Sequence, residues 1–203
     1  MYLKKRANYE FLVPPLNKPL DELTFQEATD YFEWFVDSIP SRIEYLRSVT
    51  NLFLDYSPES LITLWKWVIK QADVEKAPPN QLKELKRNLN SIPYDMTETI
   101  LIENSTQFTL QTEYMLRDVA MYFGEVCVKN NQSIYWGFHA DIEKDSFVNR
   151  PLLMGFLDKD FSPPFQAEFD PIFTVRCIAY NIIDGDESKY DLKQIYDKWK
   201  RMM

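Results

Sequence analysis

The chain has 203 residues, a formal net charge of −8, 31 aromatic side chains and only four glycines. Gly124, Gly137, Gly155 and Gly185 are each more than ten residues apart, which excludes a Walker-type phosphate loop and a glycine-rich dinucleotide turn, because both need several glycines together to bring backbone against the ligand. Hydrophobic content of 45% against 27% charge is that of a globular chain, and one of this length buries about 70% of its extended surface without staples.

After a lead carrying Pro14, Pro15 and Pro19, Thr24 and Glu27 form a capping box. Ala28, Phe32, Phe35 and Ile39 then recur at helical spacing, and Pro40 is expected to end that helix. Ser41 with Glu44 would open a second helix whose apolar face, Tyr45, Leu46, Val49, Leu52 and Phe53, runs to about Tyr56. Ser57-Pro58-Glu59 places a cap, a first-turn proline and an acid before a third helix bearing Leu61, Trp65, Val68 and Ala72. Residues Lys76 to Asn80 read as a connector, and Leu82, Leu85, Leu89 and Ile92 form the cleanest apolar stripe in the chain, backed by Lys83, Lys86 and Arg87.

The longest predicted helix runs from about Thr106 to Phe123, with Phe108, Met115, Val119 and Phe123 in line and Gly124 as its C-terminal cap. The period then becomes two. Val126 and Val128, an Asn130-Asn131-Gln132 turn, and Ile134, Trp136 and Phe138 predict a β-hairpin. Residues 139–150 read as a polar loop, and Leu152 to Leu157 around Gly155 as a third strand. Asp160 to Pro171 reads as an irregular segment pinned to the core by Phe161, Phe165 and Phe169. Asp170-Pro171 caps a helix with Ile172, Val175, Ala179 and Ile182 inward up to Gly185, although its β-branched residues also suit a strand. Ser188 and Asp191 open a last helix with Leu192, Ile195, Trp199 and Met202 inward.

These elements define an α+β protein of one domain: a helical part over about 20–123, and a sheet-containing part over 124–203 with about three antiparallel strands and closing helices. No apolar run approaches a membrane span, and Lys4, Lys5 and Arg6 are not followed by the apolar core of a signal peptide, so a cytoplasmic protein is expected and the glycosylation-like tripeptides at Asn104 and Asn131 carry no weight. Cys127 and Cys177 read as buried reduced thiols.

The charge is −5 over residues 1–138, −6 over 139–191 and +3 over 192–203. Such a field disfavours nucleic acid and favours a basic protein partner, with Trp136, Asp158, Asp160, Asp184 and Asp186 as the expected binding residues. Trp34, Trp67, Tyr31 and Tyr135 fall off the main apolar faces, either as second-row core residues or as part of a partner-binding face. The single histidine, His139, as a base oriented by Asp141 or Glu125, gives the alternative of a hydrolase or metal-dependent enzyme centred on Glu125, His139 and Asp141. Asp158, Asp160, Asp184, Asp186 and Glu187 lack the ligand ladder of a calcium loop, one histidine and two distant cysteines do not make a zinc site, and no cofactor or metal is expected. A third alternative is a structural subunit or homodimer; the residues leave the oligomeric state open.

The tract Leu116 to Phe156, with Tyr122-Phe123-Gly124-Glu125-Val126, an asparagine turn, Tyr135-Trp136-Gly137 and Arg150-Pro151-Leu152-Leu153, resembles small cytoplasmic bacterial proteins of uncharacterised families, some similar to immunity proteins of polymorphic toxin systems. The resemblance covers about a fifth of the chain. It implies an α+β domain that binds another protein without catalysis, and it carries no catalytic residue onto this sequence.

Overall fold

Thr24 opens the first long element as its sequence requires. In the computed structural model, which describes residues 9–89, 100–101, 103–140 and 148–203, a 3-10 turn at Leu20–Glu22 leads to α1 (Phe25–Thr50). The Thr24 backbone N–H donates to Glu27 Oε2 at 2.8 Å and the Glu27 N–H returns to Thr24 Oγ1 at 3.4 Å, which completes the capping box. With Lys18 Nζ at 2.7 Å as the first cause and the Thr24 bonds as the second, the Glu27 carboxyl is lowered to about 2.

Pro40 does not end this helix. Phe35, Ile39, Ile43 and Leu46 form one stripe on both sides of it, none more than 3% exposed, while Pro40 itself faces solvent. Burial of each is worth about 1.5–3 kcal/mol, so together they outweigh the roughly 3 kcal/mol that an interior proline costs. The Ser38 and Ser41 hydroxyls donate to the carbonyls of Phe35 and Ser38 beside the lost backbone bond. The helix ends instead at Asn51, whose φ of 52° is left-handed, and Phe53 is left 85% exposed.

The helix α2 (Ser60–Gln71) buries Leu61, Leu64, Trp65 and Val68. Val74–Lys76 is a strand, β1, that overlaps the expected connector at Lys76, and α3 (Pro79–Asn88) follows. Among the described residues the stripe on α3 joins no core: Leu82, Leu85 and Leu89 are half-buried and the helix has no buried residue, while Ile92 lies outside the described residues. Thr106–Phe108, expected as helix, is instead β2, paired antiparallel with β1 from Thr106 opposite Lys76 to Phe108 opposite Val74.

The central helix, α4 (Leu110–Asn130), is capped by Thr109 and runs through Gly124 to Asn130. Val126 and Cys127 are fully buried, so residues expected to alternate in a strand are the inward side of a helix whose Glu125 and Lys129 lie on the other side. Gly124 is not a cap. The indole of Trp136 lies so close that a Cβ at position 124 would fall inside it. Helix propensity alone makes Gly124→Ala stabilising by about 1 kcal/mol; here we expect a loss of about 1–3 kcal/mol, as for an overpacked core, measured as a lower urea midpoint.

The predicted hairpin reduces to β3 (Tyr135–Gly137), which pairs antiparallel with β4 (Leu152–Asp158), and β4 pairs antiparallel with β5 (Phe165–Phe169) in the order β3-β4-β5. The segment from Asp160 is therefore partly a strand, and of its phenylalanines only Phe169 is buried; Phe161 and Phe165 are 61% and 59% exposed. Residues 172–183 are helical, within α5 (Pro171–Asp184). Asp170 Oδ1 accepts the Phe173 N–H at 2.8 Å, and Gly185 closes the helix at φ 78°. In α6 (Asp191–Lys200) Leu192 and Tyr196 are buried, and Asp191 Oδ2 accepts the Ser188 N–H at 2.9 Å.

The result is α+β, with helices at both ends, α4 at the centre and small two- and three-stranded antiparallel sheets. One buried cluster runs from Tyr9 to Tyr196, with α4 touching α1, α2, α5 and β3. Tyr31 is buried and Trp34 and Trp67 pack against core, as second-row residues, whereas Tyr135 is 56% exposed. Cys127 is buried; Cys177 is exposed, contrary to expectation.

Candidate interaction surface

Of the expected catalytic residues the structure describes Glu125 and His139, and each has a partner of its own. Glu125, on α4, accepts Trp136 Nε1–H at 3.0 Å and has Lys129 Nζ at 3.6 Å. His139 follows β3, and its Nε2 lies 2.5 Å from Glu168 Oε1 of β5, with both side chains about a third exposed. Asp141 lies outside the described residues. A histidine oriented by a carboxylate is able to take a proton at its other ring nitrogen. Burial pushes the Cys127 thiol well above its usual range, which leaves it protonated and unreactive. Among the described residues no three His, Cys, Asp or Glu side chains gather as metal ligands, and no helix is long and apolar enough to cross a membrane.

The expected binding residues divide into three places. Trp136 is half-buried, edge-on to Phe35 with ring centroids 5.3 Å apart, and locks β3 onto α4 and α1. Asp158 and Asp160 sit at the β4–β5 turn, where Asp158 Oδ1 accepts the Asp160 N–H at 3.0 Å. Asp184 and Asp186 flank the glycine that ends α5 and are exposed. The Leu157 N–H donates to the carbonyl of Met202, so the C-terminal end of α6 meets the end of β4, while its N-terminal end follows the Asp184–Asp186 turn. The two acidic pairs therefore stand at opposite ends of a ten-residue helix, about 15 Å long.

At the β4–β5 turn the acids stand beside two exposed phenylalanines. Phe161 and Phe165 lie 6.3 Å apart by ring centroid, both largely in solvent; Phe161 follows Asp160 in the turn, and Phe165 is the first residue of the edge strand β5, opposite Asp158. Isolated exposed phenylalanines need no explanation, but a neighbouring pair on a hairpin whose second strand is the sheet edge among the described residues resembles the apolar centre and polar rim of a protein interface.

A second charged cluster was not anticipated. Asp118, in the buried middle of α4, accepts Arg42 Nε at 3.0 Å, Arg42 Nη2 at 2.6 Å and the Tyr9 hydroxyl at 2.5 Å. The Arg42 and Asp118 side chains are 7% and 1% exposed. The three residues are far apart in sequence, but each charge interrupts an apolar stripe, Arg42 between Ile39 and Ile43 and Asp118 between Met115 and Val119; a charge in the middle of a buried face is the signal for such a pair.

Burial, then the neighbouring Asp118, push the Tyr9 hydroxyl far above its ordinary value near 10. A raised acid stabilises the fold fully below its unfolded pKa and loses that contribution as pH rises above it. Wild type is therefore expected to lose up to about 1.4 kcal/mol per pH unit above pH ~10 that Tyr9→Phe does not lose, read from urea midpoints of both between pH 9 and 11.

Comparison of the chain with protein-family models, with curated proteins and with solved structures finds no match.

Proposed function

We propose that the chain is a non-enzymatic protein-binding protein that engages a basic partner through the β4–β5 hairpin. The observation that carries this reading is the exposed Phe161–Phe165 pair beside Asp158 and Asp160. The phenylalanines supply apolar area that a partner would bury, and the acids, with an overall charge of −8, speed and orient the encounter with a positive surface. The resemblance of the Leu116–Phe156 tract to immunity proteins supports a toxin-like partner, and a cytoplasmic setting would suit it.

The test is quantitative capture of source-cell proteins on immobilised wild type, on Phe161→Ala/Phe165→Ala and on Asp158→Lys/Asp160→Lys. A basic protein retained by wild type should fall at least tenfold on both variants, and the charge reversal alone should slow association. Equal retention on all three would sink the proposal.

A further inference from the structure

Before α1, residues 9–13 lie across α1 and α4 without a helix or sheet ladder of their own. Only Tyr9 inserts a side chain deeply, with its ring edge-on to Tyr45 at 5.1 Å and its hydroxyl on Asp118. The remaining polar contacts are read from main-chain atoms. Arg42 Nη2 donates to the carbonyl of Glu10 at 2.9 Å, the Glu10 N–H donates to Tyr45 Oη at 2.5 Å, and Arg117 Nη2 donates to the carbonyl of Leu12. Carbonyls two residues apart are the repeat of an extended chain, and contacts to them do not depend on which side chains the segment carries.

The groove walls also have unused capacity. Arg117 Nε is buried with no hydrogen-bond partner among the described residues, and its guanidinium lies 4.8 Å over the Tyr114 ring, on which Phe11 also stacks at 4.7 Å. Phe11 and Val13 remain 41% and 68% exposed, so the segment is fastened at Tyr9 and by its backbone more than by apolar burial. Two arginines against one buried carboxylate leave a net positive lining, which suits an acid next to the tyrosine, as Glu10 is next to Tyr9.

We propose that the α1–α4 groove is a recognition site for an extended segment of another protein bearing a tyrosine followed by an acidic or neutral residue, and that residues 9–13 hold it closed as a competitor in cis. Asp118 makes the site selective for the free phenol. It accepts the hydroxyl proton, a phenylalanine would leave it one donor short, and a phosphotyrosine would bring like charge against it. This site is independent of the β4–β5 hairpin.

The probe is a fluorescent peptide with the sequence of residues 9–16, titrated by anisotropy into the full chain carrying Tyr9→Ala, with Tyr9→Phe as a second host that keeps the ring. Folding of each host is checked by circular dichroism. The peptide should bind both hosts and bind wild type at least tenfold more weakly, because the tethered segment competes at high effective concentration. Its Phe analogue should bind at least tenfold more weakly than the Tyr form, and its phosphotyrosine form not detectably. In wild type, which needs no substitution, millimolar peptide should speed hydrogen exchange of the Glu10 amide. Failure of the peptide to bind a folded host, equal binding of the Tyr and Phe forms, or unchanged Glu10 exchange would each overturn the proposal. So would a concentration-dependent dimer that exchanges residues 9–13 and resists the peptide.

Discussion

Asp118→Ala should destabilise the protein by about 3–5 kcal/mol, the usual loss when one partner of a buried ion pair is removed. The loss comes from Arg42, which is left 7% exposed with a full charge and without the carboxylate that accepted its Nε and Nη2 donors. Tyr9 loses its acceptor in the same step. Replacing both charges by apolar residues of similar volume, as in Arg42→Met/Asp118→Leu, should cost much less, because no charge is then stranded. Urea denaturation followed by far-ultraviolet circular dichroism reads both. A single-variant loss below about 1 kcal/mol would mean that the pair is solvated.

Gly155→Ala should cost about 3 kcal/mol or more, from two causes that act together. Gly155 has φ of 96°, where a side chain is strained, and a Cβ there would run into the backbone carbonyl oxygen of Ser133, which cannot move aside as a flexible side chain would. The glycine marks an irregularity in β4. Leu153 pairs with Phe169 and Phe156 with Ala167, so three steps on one strand match two on the other. In a regular strand Leu153 and Phe156 would face opposite sides; both are instead fully buried in the same cluster, with Phe156 edge-on to Trp199 at 4.9 Å. Thermal unfolding should show a midpoint lower by about 6–12 °C. An unchanged midpoint would mean that the irregularity tolerates a side chain.

The elements that the sequence announced correctly are those settled by neighbours within four residues. Thr24 with Glu27, Asp170 before Pro171, Ser188 with Asp191, and Gly185 all act where they stand. The misread positions are those where a local signal met a stronger distant one. Pro40 would end an isolated helix, but the stripe from Phe35 to Leu46 packs through it. Gly124 has the form of a helix end, yet its missing side chain makes room for an indole twelve residues later. Residues 126–128 alternate like a strand over a stretch too short to show the helical period, in which Glu125 and Lys129 share one side and Val126 and Cys127 are buried on the other.

The site was legible to the same degree. Asp158 and Asp160 were found as acids, but the exposure of Phe161 and Phe165 beside them is a property of packing, and in sequence they read as core. His139 was singled out, while its partner proved to be Glu168, which chain proximity does not suggest. The strap across α1 and α4 is held mainly through main-chain atoms, which leave no trace in residue type.

The central claim is that the β4–β5 hairpin is a protein-binding surface, and a photo-crosslinking residue placed at Phe161 in the source cell tests it most directly. Phe53, 85% exposed in the loop after α1, is the control position, since it matches the residue type and exceeds it in exposure. The account predicts a discrete adduct with a basic protein at position 161, absent at position 53 and lost on Asp158→Lys/Asp160→Lys. No adduct at position 161, or the same adducts at both positions, would contradict it.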